Sequence, residues 1–562
     1  MLRTKISKVG AIAMSAFMAA SFLSGCTSTG KVNPKTAEQI IRYNLGANPK
    51  TIDPGLNSSV EGGTVIANAF EGLTDVDVNN KAYPGVAKSW DISADGKHYV
   101  FHLRKDAKWS DGKAVTAKDF EYAWKRALAP ETASDYAYQL YYLKNGQGYN
   151  ESGLPAAQKT PGVAAATADQ VGVKAVDDYT LNVDLENSTP YFLSLLAFQT
   201  YMPLRKDVIT AHPKDWALNG STYVSNGAFK MKSWKQKDKL EFVKNPYYWN
   251  KSQVKLDNLT YTVLDDPTSY MSAYQSGQID IIDTPPAEQI PSLLKQGKAK
   301  TYVNIGNYYY SFNLDPKAKL NPAVAKAMND VRVRKAISLA IDRDALVKNV
   351  TKAGQYPATS FVPRGMVENN GKDFKQKDYY PSKGDISQAK SLLSQAGYPN
   401  GSGFPTIELI YNTGSNHKDI AEAVQAMLKK NLNINITLRG VERKVQLDET
   451  TKRTYTGIAR NGWSADYADP MTFLDMWVST SGNNVVGYSN AEYDRLIAAA
   501  KSETNTTKRF SEMHQAEDIL MRDMPIVPLY EYNIVSAMKN YVKGTYRTPM
   551  DVLYFTKAYV QK

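Results

Sequence analysis

Three apolar runs between residues 404 and 466 point to a parallel sheet. Thr406 to Tyr411 (Thr-Ile-Glu-Leu-Ile-Tyr) alternates as a strand. From about His417 to Lys430, Ile420, Val424, Met427 and Leu428 recur on one helical face. Asn433 to Arg439 alternates again through Ile434, Ile436 and Leu438. Strand, helix and strand at this spacing form a βαβ unit, whose crossover makes its two strands parallel. A helix from Val441 to about Lys452 and the strand-like Tyr455–Arg460 follow. Ligands of open α/β sheets sit beyond the carboxyl ends of strands. The loop from Trp463 to Pro470 is therefore the expected site.

The rest of the chain reads as mixed α and β, with no repeat of 20–50 residues and no low-complexity block. His98-Tyr-Val-Phe-His-Leu103 reads as a strand, which sets His98 and His102 about 13 Å apart, too far to share a metal ion. Thr116, with Asp119 three residues on, is a predicted helix N-cap. Phe120, Trp124, Ala127 and Leu128 mark that helix's buried face, and Pro130 closes it. A tyrosine-dense stretch follows, with Tyr136, Tyr138, Tyr141 and Tyr142. The 37 tyrosines of this chain supply broad apolar contact with polar tips, as recognition surfaces use.

The N-terminus sets the expected compartment. Arg3, Lys5 and Lys8 precede an uncharged stretch from Val9 to Leu23, too short for a comfortable membrane span but suited to a signal peptide. It ends in Leu23-Ser24-Gly25-Cys26, and Cys26 is the only cysteine, so no internal disulfide framework can form. The motif resembles the bacterial lipobox, in which the cysteine is lipidated and becomes the mature N-terminus. Residues 1–25 are then a lipoprotein signal peptide and 26–34 a lipidated tether. Their removal lowers the net charge from +12 to +9. Lys and Arg are scattered, with no dense arginine run, so a nucleic-acid partner is not expected.

Catalytic and cofactor motifs are absent: no Walker A loop, GxGxxG, HExxH or CxxC occurs, and no cofactor or metal is expected. Gly462-Trp463-Ser464-Ala465-Asp466 approaches the nucleophile elbow G-x-S-x-G, but Asp466 stands where a small residue is needed. Asp265-Asp266 before Pro267 reads as a turn rather than a catalytic acid pair. A carboxylate beside aromatic walls needs a cation or must protonate, at a cost of several kcal/mol. From the residues alone, the partner of Asp466 is either an internal arginine such as Arg460 or a ligand amine.

Segments along nearly the whole mature chain resemble one family. They are Leu103-Arg-Lys-Asp-Ala-Lys-Trp-Ser-Asp-Gly112, Val115-Thr-Ala-Lys-Asp-Phe120, Asn226-Gly-Ala-Phe229, Asn245-Pro-Tyr-Tyr-Trp249, Asp330-Val-Arg-Val-Arg-Lys-Ala336, Ile341-Asp-Arg343 and Gly462-Trp-Ser-Ala-Asp-Tyr467. In this order and behind a lipobox, they resemble the oligopeptide-binding lipoproteins of ABC importers, bacterial solute-binding protein family 5. The resemblance implies an α/β, two-lobed periplasmic-binding-protein-like (class II, Venus-flytrap) fold with an extra third domain. Residues 35–70, 205–305 and 533–562 would form lobe I, 71–204 the extra domain and 306–532 lobe II.

The resemblance also implies the site. An extended peptide would pair its backbone with edges around Ser59-Val60 and Gly462-Trp463-Ser464, by β-augmentation. Asp466 would receive the free α-ammonium, Tyr136 and Trp463 would line that end, and Arg460 and His417 would be basic residues of the cleft. Ser58 stands where some relatives carry glutamate, Arg443 replaces a pocket tryptophan, and Thr351 and Thr451 replace basic residues. The expected protein is a monomeric, non-catalytic receptor, lipid-anchored on the extracytoplasmic face of the cell membrane, that delivers oligopeptides to ABC importer permease subunits. Its rivals are a signalling-peptide (pheromone), haem or nickel receptor of the same fold, a secreted hydrolase using Ser464, and a surface adhesin.

Overall fold

The computed structural model describes residues 38–561 except 157, 158, 161, 190 and 369. The signal segment, the tether and the lipidation expected at Cys26 lie outside the described residues.

Strand β1 (Ile40–Asn44) belongs to a large mixed sheet. After a short hairpin of Thr74–Val76 with Ala82–Pro84, four strands, β2 (Ala87–Ile92), β3 (His98–Leu103), β4 (Val173–Asp177) and β5 (Thr180–Asp184), pair only with one another, antiparallel in the order β2-β3-β5-β4. They make a sheet of their own within residues 71–204, the stretch expected to be the extra domain. His98 and His102 lie on β3 as expected, each bound to a different carboxylate, Asp184 at 2.7 Å and Asp91 at 2.8 Å.

The chain then returns to the large sheet through β6 (Phe229–Lys235), β7 (Lys239–Lys244), β8 (Asn258–Thr262) and β9 (Ile281–Asp283). It completes it with β10 (Ala299–Phe312), β11 (Ile407–Asn412), β12 (Ile436–Val441), β13 (Ile458–Ser464) and β14 (Ile526–Met538). The spatial order is β12-β11-β13-β10-β14-β9-β1-β8-β7-β6. Two lobes thus share one sheet and meet at the antiparallel pair β10–β14.

That pair changes character midway. Residues 299–303 of β10 pair with 533–537 of β14, and after a register break between Val303 and Asn307 the strand pairs with both β14 and β13. Burial switches at the same point: Val303 is 67% exposed and Asn304 is 7% exposed. From Asn304 to Phe312 every residue is buried, as a strand covered on both faces must be.

The expected βαβ unit is present. β11 and β12 pair in parallel over their whole length. Between them the helix His417–Leu432 buries Ile420, Ala421, Val424, Leu428 and Leu432, and the four larger aliphatics contribute about 1.5–3 kcal/mol each on burial. Met427, expected on that face, is half-buried because it lies at the edge of the stripe. Within residues 71–204, the helix Ala117–Leu128 starts at the predicted Thr116–Asp119 capping box and buries the predicted face.

Several boundaries differ from the sequence reading: Val441, expected to begin a helix, ends β12, the helix starts at Arg443, and the strand expected from Tyr455 begins at Ile458. The strand predicted to stop at Arg460 continues to Ser464, because each residue from Ile458 to Ser464 has a partner on β10. Trp463 therefore lies on the strand, not in a loop. The backbones are also unusually close here: a Cβ on Gly306 would sit 2.5 Å from the Trp463 carbonyl oxygen and 2.7 Å from the Tyr532 ring. Gly306→Val should therefore destabilise the protein by about 1–3 kcal/mol, read as a lowered urea midpoint with an unchanged slope.

Candidate functional site

The site begins with a strand edge left open. β11 accompanies β13 only at Ile458 and Ala459, so from Arg460 to Ser464 one edge of β13 has no strand beside it. Side-chain Nε2 of Gln446 donates to the Arg460 carbonyl at 2.7 Å, whereas the Ala465 N–H donates to Ile305 on the β10 side at 2.8 Å. Backbone groups alternate sides along a ladder. Gly462 and Ser464 therefore turn their N–H and C=O groups to the open edge, while Asn461 and Trp463 bond to β10. A Cβ on Gly462 would lie 1.9 Å from the Tyr532 hydroxyl, so any side chain there would have to displace the Tyr532 ring tip.

Helix α1 (Val60–Ala69) brings its N-terminal residues to the same cleft as this edge. The segment expected as a second strand-like edge is extended only at Ser59, which caps the helix by accepting from the Gly62 N–H at 3.3 Å. Val60 is the first helical residue and is 47% exposed. It offers a helix N-terminus, whose free N–H groups favour acceptors.

The cleft has two compartments, with cavity volumes of about 170 and 270 Å³. They lie on opposite faces of the β13 edge. Tyr136, Asn461, Trp463 and Asp466 line the first, Arg460 and His417 the second, and Val60, Gly462 and Ser464 both. All eight residues expected at the site thus reach the cleft, distributed between its two parts.

Asp466 stands just past the end of β13, on a turn held from several sides. Its N–H donates to Thr472 Oγ1 at 3.1 Å, and buried Arg509 grips Asp469 through two 2.8 Å bonds. The carboxylate accepts from Gln139 Nε2 at 2.9 Å and lies 3.5 Å from the Tyr136 hydroxyl. Both partners are neutral, and among the described residues Asp466 makes no ion pair. Burial, reinforced by the nearby Asp475 carboxylate, pushes its pKa well above the usual carboxylate range. Burial and Asp466 together also raise the Tyr136 phenol, keeping it a donor. The Tyr136 and Trp463 rings stack 6.1 Å apart and wall this end.

Arg460 is not the partner of Asp466. It points into the other compartment, where it donates to Asn412 Oδ1 and the Tyr532 hydroxyl, each at 3.3 Å, and lies 4.8 Å from the Tyr308 ring. No carboxylate pairs with it among the described residues. His417, at the start of the Leu432 helix, is held neutral: burial lowers its pKa well below the usual value, and Arg460 and Arg443 add to that. It enters the cleft as a neutral imidazole rather than a cation.

Ser464 makes no side-chain hydrogen bond to a base among the described residues and lies within a strand, not at a strand-to-helix elbow. Gln139, Gln446 and Tyr532 shape the site but carried no motif in the sequence. Gln139 was signalled only by the tyrosine-rich stretch around it.

A two-lobed α/β chain whose lobes face each other across an open strand edge has the build of a solute-binding protein. Residues 81–485 match the family described as bacterial extracellular solute-binding proteins, family 5 Middle, and the chain belongs to it. The oligopeptide-binding protein OppA of Bacillus subtilis (strain 168) is 37% identical over 545 residues, covering 95% of each chain. The crystal structure of Haemophilus influenzae OppA in complex with RPPGFSPFR matches with a TM-score of 0.84 at 33% identity, covering 94% of this chain and all of that one (100%). The Escherichia coli murein tripeptide binding protein MppA matches at 0.84 in one structure (32% identity, 94% and 99% covered). Its unliganded open form matches at only 0.60 (32% identity, 93% and 98% covered). The lobes here are therefore not arranged as in that open form.

The isolated carboxylate has a pH signature. Its folded pKa is above the unfolded value, so between the two the folded chain holds the extra proton and stability falls as pH rises. Asp466→Asn should raise the Tm of the peptide-free protein by about 1–2 °C at pH 8. That gain should vanish as pH drops toward 4, when scanning calorimetry compares the two proteins across the range.

Proposed function

We propose that this chain is the oligopeptide receptor of an ABC importer, holding its ligand extended along β13 with the free N-terminus at Asp466. The observation that carries this reading is an unpaired carboxylate at one end of an open strand edge inside an enclosed cleft. An α-ammonium supplies the missing cation, and the ligand backbone completes the hydrogen bonds of Gly462 and Ser464. Backbone pairing grips peptides without reading side chains, so many sequences fit. Arg460, six residues back along the strand, suits the carboxylate end of an extended ligand of a few residues. The OppA relatives, named as oligopeptide-binding proteins, support the ligand class.

Closure follows from the same geometry. The register break in β10 falls beside the expected lobe boundaries at 305/306 and 532/533, and the two strands there are the hinge on which lobe II closes over the peptide. The closed shape is what a permease would read. The receptor works as a monomer, without nucleic acid, and is held by a lipid on Cys26 at the extracytoplasmic face of the membrane. Among the described residues no helix is long and apolar enough to cross a membrane.

Two measurements test this reading. A charge-assisted hydrogen bond to the α-ammonium is worth about 1.5–3 kcal/mol. N-acetylating a bound peptide should thus weaken it at least about tenfold by calorimetry, and Asp466→Ala should do the same to the free peptide. Equal affinities for acetylated and free peptides would reject the anchor. For the lipid, Cys26→Ser should move the protein from the detergent to the aqueous phase on detergent partitioning of expressing cells.

A further inference from the structure

Arg443 has a place in the cleft that backbone recognition does not use. It is the first residue of the helix Arg443–Thr451 and lines both compartments, beside the open edge of β13. Its Nη1 donates to Gln446 Oε1 at 2.7 Å, and Gln446, fully buried, in turn donates to the Arg460 carbonyl at 2.7 Å. The guanidinium is thus oriented by a side chain that is itself locked onto the strand. One of its five donors is used this way. Among the described residues the rest meet no acceptor, and no carboxylate forms an ion pair with it.

The surroundings sharpen this. Arg460 and the neutral His417 are its neighbours on lobe II, and neither can neutralise it. Glu61, in the first turn of helix α1, is the acidic group that acts on it electrostatically, and the two form no ion pair. Arginine stays charged at any physiological pH, so a guanidinium partly withdrawn from water attracts a carboxylate, and its planar fork suits two-point pairing.

Gln446 also closes the strand edge. By occupying the Arg460 carbonyl it ends backbone pairing there, leaving Gly462 and Ser464 for the ligand. Successive side chains of an extended ligand alternate between the two faces of the edge. Arg443 lies at the end of that paired stretch and is open to both faces, so a side chain from an early ligand residue reaches it in either direction.

We infer that Arg443 makes this receptor selective for peptides bearing a carboxylate side chain, aspartate or glutamate, within the first few residues after the N-terminus. The inference rests on the peptide reading above and adds a sequence preference to it. A ligand carboxylate could also be the C-terminus, so the test uses C-terminally amidated peptides.

Calorimetry of wild-type protein with amidated alanine pentapeptides carrying Glu, Gln or Lys at position 2, 3 or 4 should show, at one position, Glu binding about tenfold tighter than Gln and Lys weaker than both. Raising the salt should shrink the Glu–Gln ratio while moving the all-alanine peptide less. Arg443→Gln should bring the ratio near one, and Arg443→Glu should make Lys the preferred residue at that position. A purely structural arginine would not exchange preferences in this way. Equal binding of Glu and Gln peptides at every position by the wild type overturns the inference and leaves the peptide reading standing. A ratio that survives Arg443→Gln also overturns it. If none of the pentapeptides binds, including the all-alanine one, both readings fall together. The wild-type comparison decides even if a variant does not fold.

Discussion

The pairing of β10 with β14 carries the rest of the architecture. These two strands are where the β6–β9 side of the sheet meets the β11–β13 side. The backbone link between the two sides of the sheet runs through the hydrogen bonds of this pair, on either side of a register break, while side-chain contacts such as Gln139–Asp466 and Tyr142–Tyr467 join the segments across the cleft. A sheet continuous in hydrogen bonding but irregular in register can bend there without losing its pairing elsewhere. The burial switch from Val303 to Asn304 shows the same division in packing: one half of the strand is wet and the other is enclosed.

From that arrangement the cleft inherits its chemistry. β10 pairs with β13 on one side, so the other edge of β13 faces the opposite lobe with unsatisfied backbone groups. At one end lies a carboxylate with neutral partners, and Arg460 in the second compartment and Arg443 beside both compartments have no carboxylate partner among the described residues. Isolated charges in a partly enclosed space lower the stability of the empty protein. The return is affinity for a ligand that brings the opposite charges, and that trade is characteristic of binding sites. Here the anion and the cations are kept apart by the geometry of one strand, because Arg460 projects from the opposite face to Asn461 and Trp463.

The tyrosine excess finds its place in this picture. Tyr136 backs Asp466, Tyr142 and Tyr191 close around Tyr467 behind it, and Tyr308 and Tyr532 flank Arg460. Each adds apolar wall while keeping a hydroxyl available to a charged neighbour. Most are buried packing residues. A few, at the ends of the cleft, define its shape, and composition alone could not separate the two groups.

Periodicity in the sequence was enough to determine the βαβ unit, the Thr116 capping box and the strand carrying His98 and His102, because these depend on residues close together in the chain. The family motifs added the cleft residues as expectations. Tertiary structure alone decided that β13 runs on to Ser464, since its partner β10 lies about 150 residues earlier and local pattern cannot count distant hydrogen bonds. It also decided that Asp466 is met by Gln139 rather than Arg460, and that His417 is neutral. Which charges face one another, and how dry they are, is a property of surfaces brought together by folding, and no spacing along a single chain encodes it.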